Sequence, residues 1–250
     1  MSDRWSPPYT PPGQRDAALR AHGFAVLAPD ALPAPLPLAR WAPLWAQLPP
    51  DGYLRDGGRY RYRRHGSFVV EGDSVRLVPQ RPHWQPTSYN ALHGGILRHY
   101  EPLPAALRQD AAWAQWLAAW GRCASALHGE RPWYVEAHPF RIDTAHGIGR
   151  PTPEGAHRDG VQLVVVTLMD RQHVQGGETR VFEAASPHGQ RFTLVAPGST
   201  LVLDDERMIH ETTPIQPAAE GAGHRDTLVL TYRAGGFQGP DSSEDQGDHA

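Results

Sequence analysis

Beyond Trp133 the sequence breaks into short apolar runs with no stretch long enough for an ordinary helix, and glycine or proline sits at many of the breaks. Strands are expected at about 133–142, 161–169, 179–183, 190–196, 199–204, 207–212 and 226–233. Gly176-Gly177, Pro187 to Gly189 and Pro197-Gly198 supply turns between them. Seven strands packed so closely predict a mainly β body with flanking helices, a sandwich or barrel of jelly-roll type. The counts of 25 Gly and 25 Pro fit a chain that turns this often.

The first half reads differently. Residues 1–13 hold four prolines and little to bury, and are expected to form a flexible arm. Gln14 to His22 reads as a helix ended by Gly23, with the strand Phe24 to Leu27 after it. Pro29 to Pro37 is a connection and Leu38 to Leu48 a helix. Tyr60, Tyr62 and Phe68 to Val70 suggest strands around Gly66. Between Ala105 and Leu127 almost nothing breaks a helix, and Trp113, Trp116, Leu117 and Trp120 recur at helical spacing, a stripe expected to pack on a sheet. The polar, acidic residues 236–250 read as a disordered tail. The expected organisation is one domain over 14–235: a mixed α/β part and lid at 14–130, then a β core at 131–235.

Composition removes whole classes of chemistry. All 24 basic residues are Arg, so no lysine Schiff base and no phosphate-loop lysine can be built. A single cysteine, Cys123, excludes intrachain disulfides and four-cysteine metal sites, and suits a reducing cytoplasm. A net charge of −3 gives no reason to expect nucleic acid as a partner. Leu163 to Met169, the longest strongly apolar run, is far too short to span a bilayer, and the first residues lack the apolar core of a signal peptide.

Fourteen histidines invite a metal, but chance alone supplies about one His-x-Asp triplet in such a composition, and the chain has two, His157-Arg158-Asp159 and His224-Arg225-Asp226. Context selects the first. His157 follows the polar turn Pro151 to Ala156 and precedes the most apolar strand, and its parity with Asp159 aims both side chains at one face of extended backbone. His99 beside Pro102 and His128 at the end of the long helix read as surface or capping residues. His210, which ends the run Leu201 to Ile209, lies far enough on for the chain to return to the same end of a barrel. Two imidazoles and one carboxylate on one face leave coordination positions free, as in non-haem Fe(II) oxygenases. Arg225 and Thr227, two positions apart in the last strand, share a side and could grip a carboxylate with a planar fork and a hydroxyl.

At this point the sequence resembles the bacterial 2-oxoglutarate/Fe(II) dioxygenases that hydroxylate free amino acids, the group containing L-isoleucine 4-hydroxylase. The similar residues are Tyr60-Arg-Tyr-Arg-Arg-His65, Asn90, Gly94-Gly-Ile-Leu-Arg98, Tyr100-Glu-Pro102 and Phe140-Arg-Ile142. The densest stretch is Pro151-Thr-Pro-Glu-Gly-Ala-His-Arg-Asp-Gly-Val161. Gly176-Gly-Glu-Thr179, Leu203-Asp-Asp205, His210, Thr213-Pro-Ile215 and Arg225-Asp226 follow, so the likeness runs over about residues 20–233. It implies a double-stranded β-helix (jelly-roll, cupin-like) core, with iron on His157, Asp159 and His210 and 2-oxoglutarate on Arg225. It also implies Fe(II), 2-oxoglutarate and O2 as cofactor and cosubstrates, with release of succinate and CO2. Thr227 is added from strand parity.

An amino-acid-like substrate needs a cation for its carboxylate and acceptors for its ammonium: Arg141 and Arg64 are candidates for the first, Glu136 and Glu154 for the second. The His-Arg-Asp triplet also matches part of a kinase catalytic loop, but position 164 is Val where that loop has Asn, and lysine is absent. A non-redox cupin-like enzyme or metal-binding module is the alternative reading; it has no use for a carboxylate anchor at Arg225. Oligomeric state leaves no mark in the sequence.

Overall fold

A computed structural model describes residues 6–186, 188–218 and 220–240. Helix α1 (Arg15–His22) leads into strand β1 (Phe24–Leu27) through Gly23, whose φ of 74° closes the helix. Next come α2 (Leu38–Trp41), continued by the 3-10 turn Ala42–Gln47, and strands β2 (Arg61–Arg63), β3 (Gly66–Glu71) and β4 (Ser74–Leu77). The expected helix over Ala105–Leu127 is two helices, α3 (Ala105–Arg108) and α4 (Ala111–His128). Asp110 makes the break: its carboxylate accepts the Ala112 N–H as the cap of α4 and also receives the Trp41 indole N–H and Arg40.

The β region holds β5 (Trp133–Asp143), β6 (Leu163–Gln172), β7 (Val174–Gly176), β8 (Thr179–Glu183), β9 (Gly189–Phe192), β10 (Thr200–Asp204), β11 (Met208–Thr212), β12 (Ile215–Pro217) and β13 (His224–Arg233). Of the strands, β7 and β12 are too short to show in the pattern, and β9 stops at Phe192 rather than 196.

An antiparallel sheet runs β1-β10-β6-β13-β5-β3-β4, with β2 also pairing β5. A smaller side is built from β11-β8-β9 and β12-β7, widened by backbone bridges His157↔His210 and Gly149↔Ile215. Side chains from both sides (Val164, Leu168, Leu201, Val181, Phe192 and Met208 among them) share one buried cluster, which makes the pair of sheets a jelly-roll sandwich. The other face of the large sheet is covered by α4 and the α2 region. There Leu228, Leu230, Tyr232, Val135 and Val165 pack on Trp41, Trp45, Trp113, Trp116 and Trp120. The tryptophan stripe is therefore core, as its spacing predicts.

Both termini differ from expectation where they are described. Of the arm expected at 1–13, residues 6–13 are held along β1: Thr10 N–H donates to the Val26 carbonyl (2.7 Å), and the Tyr9 and Ser199 hydroxyls hydrogen-bond. Of the tail expected at 236–250, residues 236–240 return to the fold, Phe237 against Tyr134 and Gln238 buried; residues 241–250 lie outside the described ones. Among the described residues, no helix is long and apolar enough to cross a membrane.

Candidate active site

Backbone pairing brings the two histidines together. His157 and His210 exchange N–H···O=C bonds of 3.0 Å each, which sets their ring centroids 4.6 Å apart. Asp159, two residues on, places Oδ1 3.9 Å from His157 Nε2 and Oδ2 3.8 Å from His210 Nε2. Two ligand atoms each about 2.1 Å from a shared ion stand no more than about 4.2 Å apart, so these separations suit a common cation. His157 Nδ1 lies 2.9 Å from the Gly155 carbonyl, a bond that leaves Nε2 free to face the carboxylate. Burial, then His157, holds the His210 pKa well below its ordinary value, so the ring is neutral, as a metal ligand must be. For His157 burial opposes charge, but Asp159 and Glu154 outweigh it and raise the pKa.

The turn carrying Asp159 is itself held from below. The Asp205 carboxylate accepts the N–H groups of Asp159 (3.0 Å), Gly160 (2.8 Å) and Val161 (3.1 Å). Burial, then the neighbouring Asp159 carboxylate, pushes Asp205 up to about 7. Gly160 is required here: its φ is 74°, and a Cβ would come within 2.5 Å of Tyr89 and 2.7 Å of Gln238. Gln238 Nε2 donates to the carbonyls of Asp159 and Gly160 at 3.0 and 2.9 Å, closing the turn from the other side.

The triad opens into a cavity floored by the large sheet. Its register lays out rows that alternate between faces. Arg61, Ile142 and Arg225 form one row across β2, β5 and β13, and Arg63, Phe140 and Thr227 form the next; all six line the cavity. Arg225 is 3% exposed, and among the described residues its Nε and Nη2 have no hydrogen-bond partner and no carboxylate lies in ion-pair contact. Burial, then Arg171, brings its pKa down to about 10.

The substrate candidates separate by the same parity. Arg141 falls in the row between, with Tyr62 and Asp226, and clasps the Asp226 carboxylate through two bonds of 2.8 and 2.6 Å outside the cavity. Arg64 lies past the end of β2 and pairs with Glu101 (2.7 Å) and the Pro102 carbonyl. Neither of these two side chains lines the cavity. Glu136 does line it, but its carboxylate is already held by His65 (3.1 Å), His83 (3.1 Å) and Arg81 (2.9 Å). Glu154 lines it with a buried Oε2 that has no hydrogen-bond partner among the described residues, while Oε1 lies 3.7 Å from His157 Nε2. His224 lies apart from the triad, 3.2 Å from Asp170, and His99 is exposed. Arg63, Arg98 and Asp205 fall in stretches that carry the resemblance without a role given to them, and Gln85 and Gln238 lie outside those stretches. Alternation from Glu136 would have favoured the face of Phe140 over that of Arg141.

A family model described as 2OG-Fe dioxygenase matches residues 42–231. A crystal structure of a bsmA homolog from Methylobium petroleophilum PM1 is 50% identical, with a TM-score of 0.87, over 94% of this chain and 99% of that one. Two more distant structures share the fold. IDO from Bacillus thuringiensis is 18% identical with TM-score 0.73, covering 90% of this chain and 99% of that one. The Fe(II)/α-ketoglutarate-dependent dioxygenase TqaL is 17% identical with TM-score 0.66, covering 87% and 85%. No curated protein matches the chain.

Proposed function

This chain belongs to the 2OG-Fe dioxygenase family, and from that premise we propose that it hydroxylates an unactivated carbon of a free amino acid or an amino-acid-derived small molecule. Fe(II), 2-oxoglutarate and O2 are the family's requirements, and the residues suit them. Two imidazoles and a carboxylate form the donor set, and a buried, unpaired guanidinium lies in the same cavity. His157, Asp159 and His210 would hold the iron, and Arg225 with Thr227 the distal carboxylate of 2-oxoglutarate. When bound, iron and 2-oxoglutarate supply the O2-driven oxidation that yields succinate and CO2 and delivers one oxygen atom to the substrate.

The chain's own groups prepare that reaction by position and exclusion. Gly155 and Asp205 fix the His157–Asp159 turn, so the ligands need not reorganise. Val166 and Val229 contribute apolar lining to the same cavity, which would help keep bulk water from the reacting carbon. The mixed first half supplies Gln85, Asn90 and Arg98 to the cavity lining, and in this reading it forms the lid. A reducing cytoplasm suits both Fe(II) and the buried Cys123 thiol.

The observation that carries the amino-acid reading is the unsatisfied Glu154 oxygen beside the triad in an arginine-lined cavity: charges of both signs face a small zwitterion. The test is a screen of free amino acids by 2-oxoglutarate-dependent succinate release, with mass detection of a product carrying one added oxygen. Peptides or amine-free acids as the sole substrates would refute it. Asp159→Ala should abolish turnover and weaken Fe(II) binding, since the only anionic ligand is lost; wild-type turnover in that variant would refute the site.

A further inference from the structure

Four arginines line the cavity, and two of them have assigned counter-charges. Arg61 is neutralised by Asp51 at 2.7 Å, and Arg225 awaits 2-oxoglutarate. Arg63 and Arg98 remain. They are 3% and 2% exposed, each has a buried Nε without a partner, and among the described residues neither has a carboxylate at ion-pair distance. Burying an unpaired cation is costly, and such groups persist where a ligand supplies the missing anion.

Both are held in place by neutral acceptors, which fix geometry without cancelling charge. Arg63 donates to His138 Nδ1 (2.7 Å) and the Tyr100 hydroxyl (3.3 Å), and its guanidinium lies 4.0 and 4.3 Å from the ring centroids of Tyr100 and Phe140. Arg98 donates to Gln85 Oε1 (2.8 Å), while Gln85 Nε2 donates to Asp159 Oδ1 (3.1 Å). A single glutamine therefore separates Arg98 from the metal triad. On the sheet, Arg63 and Thr227 flank Phe140, so Arg63 and the Arg225–Thr227 end lie two strand spacings apart, roughly 10 Å.

We infer that Arg63 and Arg98 form a second anion subsite, which takes the free carboxylate of the substrate while Arg225 takes that of 2-oxoglutarate. This rests on the amino-acid reading above and narrows it to substrates whose carboxylate is not in a peptide or ester bond. His65, His83, Glu136 and His138 beside it also lie close enough for one cation. However, Arg81 already donates to Glu136 and Arg63 to His138, so the positive surroundings favour an anion.

Anaerobic calorimetry of the chain loaded with Fe(II) and 2-oxoglutarate tests this, using L-amino acids, their methyl esters and the corresponding amine-free acids as probes. The free acid should bind at least 30-fold tighter than its ester. Arg98→Gln and Arg63→Lys should each weaken the acid by a similar factor, with the 2-oxoglutarate dependence of succinate formation unchanged. Lysine at 63 keeps the charge and guards against loss of folding. If ester and acid bind alike, or if the variants weaken 2-oxoglutarate instead, the subsite is wrong. If only amine-free acids bind and the variants weaken them, the subsite stands and the amino-acid reading falls. If an amino acid is hydroxylated and the variants leave its affinity alone, the reverse holds.

Discussion

Along β13, Leu228, Leu230 and Tyr232 point into the tryptophan layer beneath the helices, whereas Arg225, Thr227, Val229 and Thr231, which alternate with them, border the cavity. Apart from Val229, which is only partly buried, the residues on both faces are deeply buried, so depth does not tell them apart. Charge does. From Leu228 to Tyr232 the helix side of the strand packs carbon and one hydroxyl, Tyr232 Oη, which donates to the Leu117 carbonyl at 2.9 Å, and the buried Asp226 before them is paired with Arg141. The cavity side buries a guanidinium with open donors. One face stabilises the chain and the other spends stability to hold a ligand, so changes to the two should be read by different instruments.

The largest expected effect is on stability. Leu230→Ala should cost about 3 kcal/mol in urea unfolding, by lost burial and a cavity that the tryptophans cannot fill. The 2-oxoglutarate dependence per folded molecule should stay put. A shift there would mean that the two faces are coupled. Arg225→Ala should do the converse: a 30- to 1,000-fold rise in the 2-oxoglutarate requirement, about 2–4 kcal/mol, with unliganded stability unchanged or raised. Lower unliganded stability would make Arg225 part of the frame.

Titration gives a smaller, sign-specific contrast. Burial holds the His83 pKa down to about 3, against the pull of Glu136. The unfolded chain takes up this proton below about pH 6.5 and the folded chain refuses it, so stability falls as pH drops from there toward 3. The slope for one proton is at most about 1.4 kcal/mol per pH unit. His83→Asn, which keeps a donor for Glu136 but cannot titrate, should flatten the acid limb by up to one proton, leaving those of His138 and His210, whose pKa values burial also lowers. Leu230→Ala should instead lower the curve evenly at all pH values. Acid unfolding that is as steep in His83→Asn as in the parent would remove the histidine from this account. Smallest of all, Thr227→Val should raise the 2-oxoglutarate requirement by about 1 kcal/mol, the worth of one neutral hydrogen bond.

The fold and the nearness of His157 to Asp159 are legible because they obey short-range rules. Turn residues delimit the strands, and His157 and Asp159 share parity in extended chain. The partner strand of His157 was not legible, since a single backbone bridge to His210 leaves no periodic trace. For the substrate side, the error was one of parity. Glu136 and Arg141 sit an odd number of residues apart on β5, so they cannot share a face, and Arg63 rather than Arg64 lies in β2. Arg98 and Gln238 come from outside the sheets, where no alternation exists to follow, and tertiary packing rather than periodicity places their side chains at the cavity. The helix break at Asp110 was missed because a capping aspartate and an ordinary helical one look alike until Trp41 and Arg40 reach it.

The reciprocal backbone bonds between His157 and His210 have a consequence for how a cation would come and go. A site whose spacing is fixed by peptide groups does not have to be gathered by its ion, so loading resembles docking onto a finished surface rather than folding around a nucleus. Dialysis against a chelator should then yield a chain that keeps its shape and accepts a different divalent metal without passing through an unfolded state. The histidine pair would thus make the metal an exchangeable part, with identity set by supply as much as by the protein.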